Sequence, residues 1–203
     1  MQNKKGKVAV FLSGRGSNFE SIYKSSLKRD SNFRIEIVVS DNSDAAGILK
    51  AKKFGLKTFI FNRKSYKTKK SFESEILDTL KKCKIDLICL AGYMRIIGKT
   101  ILNGYKERII NIHPSLLPAF PGLDAQKQAF DYGVKISGCT VHFVDSGIDT
   151  GKIILQSALE VLPDDTVETL SKRILTEEHN IYPKAIKYFF KNFEKRTGPK
   201  ELL

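Results

Sequence analysis

This sequence lacks the features that several large functional classes require. It has three cysteines, Cys83, Cys89 and Cys139, and no C-x-x-C pair. An odd, scattered set does not make a disulfide framework, and reduced thiols in a cytoplasmic setting are the expectation. Its three histidines, His113, His142 and His179, lie far apart without metal-ligand spacing, so no metal is expected. There is no G-x-S-x-G elbow for a Ser-His-Asp hydrolase. No apolar stretch approaches the ~20 residues that span a bilayer, and the apolar run at residues 8–12 is too short for a signal peptide. A dinucleotide fingerprint is incomplete, because Phe19 stands where the third glycine after Gly14 and Gly16 would be. No repeat, low-complexity segment or separating linker interrupts the chain, which predicts one domain over residues 1–203.

Acidic residues are also in deficit, with 22 against 35 Lys and Arg, for a net charge of +13. The lysines are scattered. Their densest pieces, residues 3–7 and 64–70, are broken runs without interleaved aromatics, which reads as a solvated surface rather than a nucleic-acid patch. A basic nucleic-acid-binding α/β module remains the alternative outside enzymology. With 203 residues, 41% of them hydrophobic, the chain can bury a sizeable core.

What is present alternates. Residues 8–12 are continuously apolar, as in a parallel strand buried on both faces. A polar turn follows at 13–18, then Phe19, Ile22, Tyr23 and Leu27 at helical spacing. Strands are predicted at 34–40, 57–61 and 87–90, with helices at 45–54, closed by Gly55, and at 71–82. This βα alternation over residues 8–90 implies a mostly parallel, Rossmann-like sheet flanked by helices. Residues 91–190 change character. A strand at 109–113 is cut by Pro114, and a Pro-rich loop precedes a helix at 125–132. Strands at 139–144 and 152–156 form a hairpin, hence an antiparallel portion. A helix at 166–190 should be kinked or divided at Pro183, and residues 191–203 read as a polar tail.

Three places concentrate chemistry. Gly14-Arg15-Gly16-Ser17-Asn18 joins a strand to a helix. Its glycines allow close backbone approach, and a helix N-terminus favours an anion such as phosphate; an ordinary capped turn would look the same. Asn111 and His113, two apart on a strand, project to one face at its end, and an amide and an imidazole aimed together suit a developing oxyanion. Asp149, between Gly147 and Gly151, could turn a carboxylate inward to orient and tune His113, or could serve only its own turn.

These segments, together with Ala91-Gly92-Tyr93-Met94-Arg95-Ile96, Asn111-Ile112-His113-Pro114-Ser115-Leu116-Leu117-Pro118, Phe120-Pro121-Gly122, Thr140-Val141-His142-Phe143-Val144 and Glu178-His179-Asn180-Ile181-Tyr182-Pro183, resemble the folate-dependent formyltransferases along almost the whole chain. Within that family they are most similar to the single-domain branch acting on glycinamide ribonucleotide in purine synthesis. The resemblance implies 10-formyltetrahydrofolate as co-substrate, Asn111, His113 and Asp149 as the catalytic trio, and Gly16, Ser17, Asn18 and Glu178 against the ribonucleotide. It implies a folate site at Met94, Arg95, Ile96 and Ile97, shared with Asn111. The family often carries an arginine where this sequence has Lys69, which keeps the charge but loses the planar fork. The implied form is a monomer or homodimer. Two rivals lie inside the family. The methionyl-tRNA enzymes add a C-terminal RNA-binding domain and have a basic, Trp-containing loop where this sequence reads Ala119-Phe120-Pro121-Gly122. The formyltetrahydrofolate deformylases add an N-terminal regulatory domain, whereas the first strand here begins near residue 8.

Overall fold

A computed structural model describes residues 5–197. Seven strands form one sheet in the order β3-β2-β1-β4-β5-β6-β7. They are β1 (Gly6–Leu12), β2 (Phe33–Ser40), β3 (Lys57–Ile60), β4 (Leu87–Leu90), β5 (Ile109–His113), β6 (Ile136–Phe143) and β7 (Ile153–Glu160). Strands β1 to β5 pair in parallel; β6 pairs antiparallel with both β5 and β7. The mixed α/β architecture matches the sequence expectation, and β7 runs four residues beyond the predicted strand end.

The apolar runs explain the layering. Val8, Val10 and Leu12 of β1 face one cluster, while Ala9 and Phe11 face another, so the strand is buried on both sides. Helices α1 (Ser17–Ser26), α2 (Ala46–Lys53) and α6 (Val167–Thr197) cover the first face through Phe19, Ile22, Ile48, Ile174 and Ile186. Helices α3 (Lys69–Lys82) and α4 (Lys99–Gly104) cover the second through Phe72, Ile76, Leu80 and Ile101. The remaining helix, α5 (Ala125–Tyr132), ends at Gly133 in the left-handed region. Helix α4 was not legible in the sequence: it has six residues and buries only Ile101, too little for a periodic signal.

Three expectations are corrected. Leu27 does not face the core; α1 stops at Ser26, and Leu27, its C-cap, is 65% exposed. Residues 191–197 belong to α6 rather than to a tail, while the expected tail residues 198–203 lie outside the described residues. Pro183 does not divide the last helix, which is continuous from Val167 to Thr197. Proline removes the N–H that would pair with the carbonyl four residues earlier, that of His179. Here the Ser21 hydroxyl of α1 donates to that carbonyl at 2.7 Å, so the orphaned acceptor is satisfied from the neighbouring helix. Among the described residues, no helix is long and apolar enough to cross a membrane.

The topology also selects one edge. From β1 the chain moves outward to β2 and β3, then returns to lay β4 on the other side of β1. The strand order reverses between β1 and β4, and in open α/β sheets the crevice at the carboxyl ends beside such a reversal is where ligands bind. Tyr182 of α6 braces that edge from below. Its fully buried hydroxyl lies 2.8 Å from the Leu90 carbonyl, at the end of β4, and 3.1 Å from the Ile110 carbonyl, within the neighbouring β5. Removing it in Tyr182→Phe should destabilise the protein by about 1–3 kcal/mol, because the one O–H proton shared between two buried carbonyls is lost. Urea unfolding would measure this, and an unchanged midpoint would refute it.

Candidate active site

Four segments reach the edge at the β1/β4 reversal. The first is the turn after β1. Gly16 is the N-cap of α1 with φ 68, and a Cβ built there would sit 2.8 Å from the Gly47 backbone. A residue with a side chain would thus be both strained and obstructed. No side chain caps α1, so its first-turn N–H groups remain available to an anion. Asn18 is the second residue of α1. Its side chain turns inward, and its amide donates to Glu178 at 2.6 Å. The donors facing outward from this turn are therefore the backbone and Ser17, not the Asn18 amide.

Glu178 itself is buried on α6, and burial pushes its carboxyl up to about 6 against the opposing Asn18 hydrogen bond. The Asn18 side-chain oxygen beside it is buried without a partner. An unmatched acceptor next to a reluctant carboxylate marks a place where a hydroxyl-bearing ligand would satisfy groups the protein leaves open.

The second segment follows β4. Met94 and Ile96 are 70% and 69% exposed, while Ile97 is buried, so this stretch presents apolar side chains on both of its faces. With Tyr93, Phe72 and Ile101 they line a cavity of about 320 Å³ whose charged wall is Arg63, Lys69, Arg95 and Glu73. Lys69 sits 3.9 Å from Glu73, which also accepts the Gly98 N–H at 2.6 Å. Arg63, from the 3-10 turn Arg63–Ser65, donates to the Tyr66 carbonyl and has no acidic partner among the described residues. Arg63 escaped the sequence reading because nothing in its spacing ties it to residues 94–97.

The third and fourth segments meet at Asp149. Asn111 and His113 do share one face of β5, as their spacing predicts, while Ile110 and Ile112 pack into the core on the other. Asp149 lies at φ 55, a left-handed conformation that Asp tolerates better than most residues. One carboxylate oxygen lies 3.2 Å from His113 Nδ1 and accepts the Gly122 N–H at 2.9 Å. The other lies 3.5 Å from both Asn111 Nδ2 and His142 Nε2. Burial pushes Asp149 up, but the His142 hydrogen bond, the Gly122 N–H and the two nearby imidazoles outweigh it and hold the carboxyl at about 2. Asp149 is thus an anion throughout the neutral range, as a partner for a protonated imidazole must be.

The imidazole of His113 is bounded on both sides. Its Nε2 lies 2.8 Å from the Phe120 carbonyl and its Nδ1 faces Asp149. Both nitrogens point at acceptors, so the ring is fully satisfied only with a proton on each. His142 completes the cluster. Its Nδ1 donates to the Phe143 carbonyl at 2.8 Å, leaving Nε2 to accept from Asn111 at 3.3 Å or, when protonated, to donate to Asp149. The sequence reading weighed His142 only as a metal ligand. What it could not supply was the antiparallel register that sets Asn111 opposite His142.

Comparison with known proteins decides the family. Residues 6–186 match the formyl transferase family, described as "Formyl transferase". The chain belongs to that family. A phosphoribosylglycinamide formyltransferase of Bacillus subtilis is 50% identical over 181 residues, covering 89% of this chain and 93% of the relative. The human trifunctional purine biosynthetic protein adenosine-3 is 44% identical over 91% of this chain, which spans only 18% of that longer protein. The crystal structure of glycinamide ribonucleotide transformylase 1 from Symbiobacterium toebii superposes with a TM-score of 0.91 at 44% identity, covering 94% of this chain and 90% of the other. The formyl transferase fold accounts for the parallel half and the antiparallel extension together.

Glu178 provides a test of the geometry that needs no ligand. A carboxyl held at about 6 rather than 4.5 binds its proton more tightly in the folded state. Stability is therefore lost as pH rises from about 4.5 to about 6 and stays lower above that. Glu178→Gln removes the titration and should be the more stable protein by about 2 kcal/mol at pH 8. The difference should close towards pH 4. Thermal unfolding of both proteins from pH 4 to 8 would show it, and a pH-independent difference would refute the assignment.

Proposed function

We propose that this formyl transferase moves the formyl group of 10-formyltetrahydrofolate to the amine of glycinamide ribonucleotide, giving the N-formyl ribonucleotide and tetrahydrofolate. The observation that carries this reading is the half-buried cluster in which Asp149 faces the His113 imidazole at 3.2 Å on one side and accepts from the Asn111 amide on the other, at the sheet edge beside an anion-ready helix N-terminus. The names of the B. subtilis and S. toebii relatives support the choice of acceptor.

In this mechanism the uncharged amine attacks the formyl carbon. The carbonyl electrons move to oxygen, and the oxyanion is stabilised by the Asn111 amide and the protonated His113 ring. Asp149 orients that ring and balances its charge. Collapse expels the folate nitrogen, which takes up the proton released by the amine, so no covalent enzyme intermediate forms. His113 Nε2 must exchange its Phe120 carbonyl partner for the formyl oxygen, which makes the loop at 119–122 part of ligand binding. The ribonucleotide phosphate would lie on the backbone of Gly16 and Ser17, and its ribose hydroxyls near Glu178 and the open Asn18 oxygen. The folate ring system would use the apolar walls at Met94, Ile96 and Ile97, and its carboxylates the cations Arg63, Lys69 and Arg95. The natural setting for such chemistry is the cytoplasm.

A steady-state assay with both substrates tests this. Tetrahydrofolate should form only when glycinamide ribonucleotide is present. Formation without any acceptor would indicate a hydrolase instead. His113→Ala and Asp149→Ala should each lower kcat by at least about 10²-fold while remaining folded; near-normal turnover in both would overturn the roles given to them.

A further inference from the structure

The turn after β1 and the segment after β4 are joined by a small hydrogen-bonded relay whose centre, Asp41, lies in neither. Asp41 follows the last residue of β2. One of its oxygens accepts from the Ser13 hydroxyl at 2.6 Å, and the other accepts from Arg95 Nε at 2.6 Å. The Ser13 hydroxyl oxygen also accepts the Met94 N–H at 3.0 Å, and the Ser13 N–H donates to the Gly92 carbonyl at 3.0 Å. We infer that Asp41, acting with Ser13, is a positioning residue that aims the Arg95 guanidinium at the cavity and holds residues 92–95 in register with the β1 turn.

Local needs do not explain these bonds. The end of β2 is capped without Asp41: Asn42 N–H donates to the Ser40 hydroxyl, which donates to the Asn42 carbonyl, and Asp44 N–H goes to the Asn42 side chain. The two Asp41 oxygens instead serve other segments: one takes the Ser13 hydroxyl of the neighbouring β1 turn, and the other reaches across the strand reversal to Arg95. The form of the Arg95 contact matters as well. A guanidinium carries five N–H donors in a rigid plane, so fixing Nε against a carboxylate fixes the whole plane. Its two terminal nitrogens are left without a protein partner among the described residues. Asp41 is about nine-tenths buried in its side chain while Arg95 is partly exposed, an arrangement in which the acid is the anchor and the arginine the group it presents.

The inference rests on the folate site proposed above, and a binding measurement separates the two. Unformylated tetrahydrofolate is titrated into wild type, Asp41→Asn, Arg95→Leu and the double variant, with glycinamide ribonucleotide titrated in parallel. Asp41→Asn should weaken tetrahydrofolate by about tenfold, leave the ribonucleotide Kd within about twofold and leave Tm nearly unchanged. The double variant should bind tetrahydrofolate no more weakly than Arg95→Leu alone, because Asp41 acts through Arg95. Ser13→Ala, which removes the Met94 N–H acceptor, should weaken tetrahydrofolate in the same selective way and stands in if Asp41→Asn does not fold. Unchanged folate binding in these variants would overturn the inference, as would an equal loss of both ligands with a lowered Tm, the signature of a merely structural role. A wild type that binds no tetrahydrofolate would overturn the functional reading itself.

Discussion

A carboxylate taken out of water must be matched by donors or it will bind a proton instead. Asp149 meets that condition with groups drawn from three different parts of the chain: the Gly122 N–H, the two imidazoles of His113 and His142, and the Asn111 amide. The loop carrying it is braced independently. Asp145 accepts from the Gly147 N–H and the Thr150 hydroxyl, so the turn keeps its shape without using the Asp149 side chain. The chain thus separates two duties of acidic loop residues. Asp145 serves the turn, and Asp149 is left to collect the polar ends of β5 and β6.

The sheet makes that convergence possible. Parallel strands buried on both faces leave polar groups nowhere to go but the strand ends. Where the winding reverses, two loops leave adjacent strands at the same edge and part to opposite faces. The Ser13 N–H to Gly92 carbonyl bond closes the gap at its base, and the Tyr182 hydroxyl ties the end of β4 to β5 beneath it. The antiparallel β6 is equally necessary. It brings His142 opposite Asn111 and Thr140 opposite His113, and Thr140 in turn accepts the Leu117 N–H and donates to the Ser115 carbonyl. The loop after β5 is therefore pinned by the strand that pairs with β5, and its Phe120 carbonyl is presented to His113.

Much of this was legible in the residues because it depends on local periodicity. Alternation of apolar runs with helical spacing fixes a parallel half, and a two-residue spacing is enough to put Asn111 and His113 on one face. The groups that were not legible depend on register or on tertiary rescue. His142 matters through the residue opposite it, which the order of residues does not state. Asp41 and Arg63 come from turns whose side chains acquire meaning only when strands distant in sequence become neighbours. Pro183 does not divide its helix because its helix-breaking effect is conditional: the Ser21 hydroxyl satisfies the carbonyl that proline strands. The inward turn of Asn18 was not legible either, since a polar residue at a helix N-terminus ordinarily faces outward, whereas here a buried carboxylate on α6 takes its amide.

The cavity beside Met94 shows how the excess positive charge of the whole chain resolves locally. Three cations line it, and two carboxylates answer them: Asp41 holds Arg95 by a direct hydrogen bond, while Glu73 stands at a longer distance from Lys69 and also takes the Gly98 N–H. Arg63 has only a carbonyl among the described residues. The balance is one positive charge over, distributed as one arginine fixed in orientation, one lysine loosely tethered and one arginine without an acid. A fixed guanidinium selects by geometry, whereas a tethered ammonium and an unpaired guanidinium attract by charge and adapt in position. An elongated anionic group entering along the apolar wall would thus meet a rigid contact and two mobile ones. That ordering suits a ligand whose charged tail is fixed at one point and merely retained at the others.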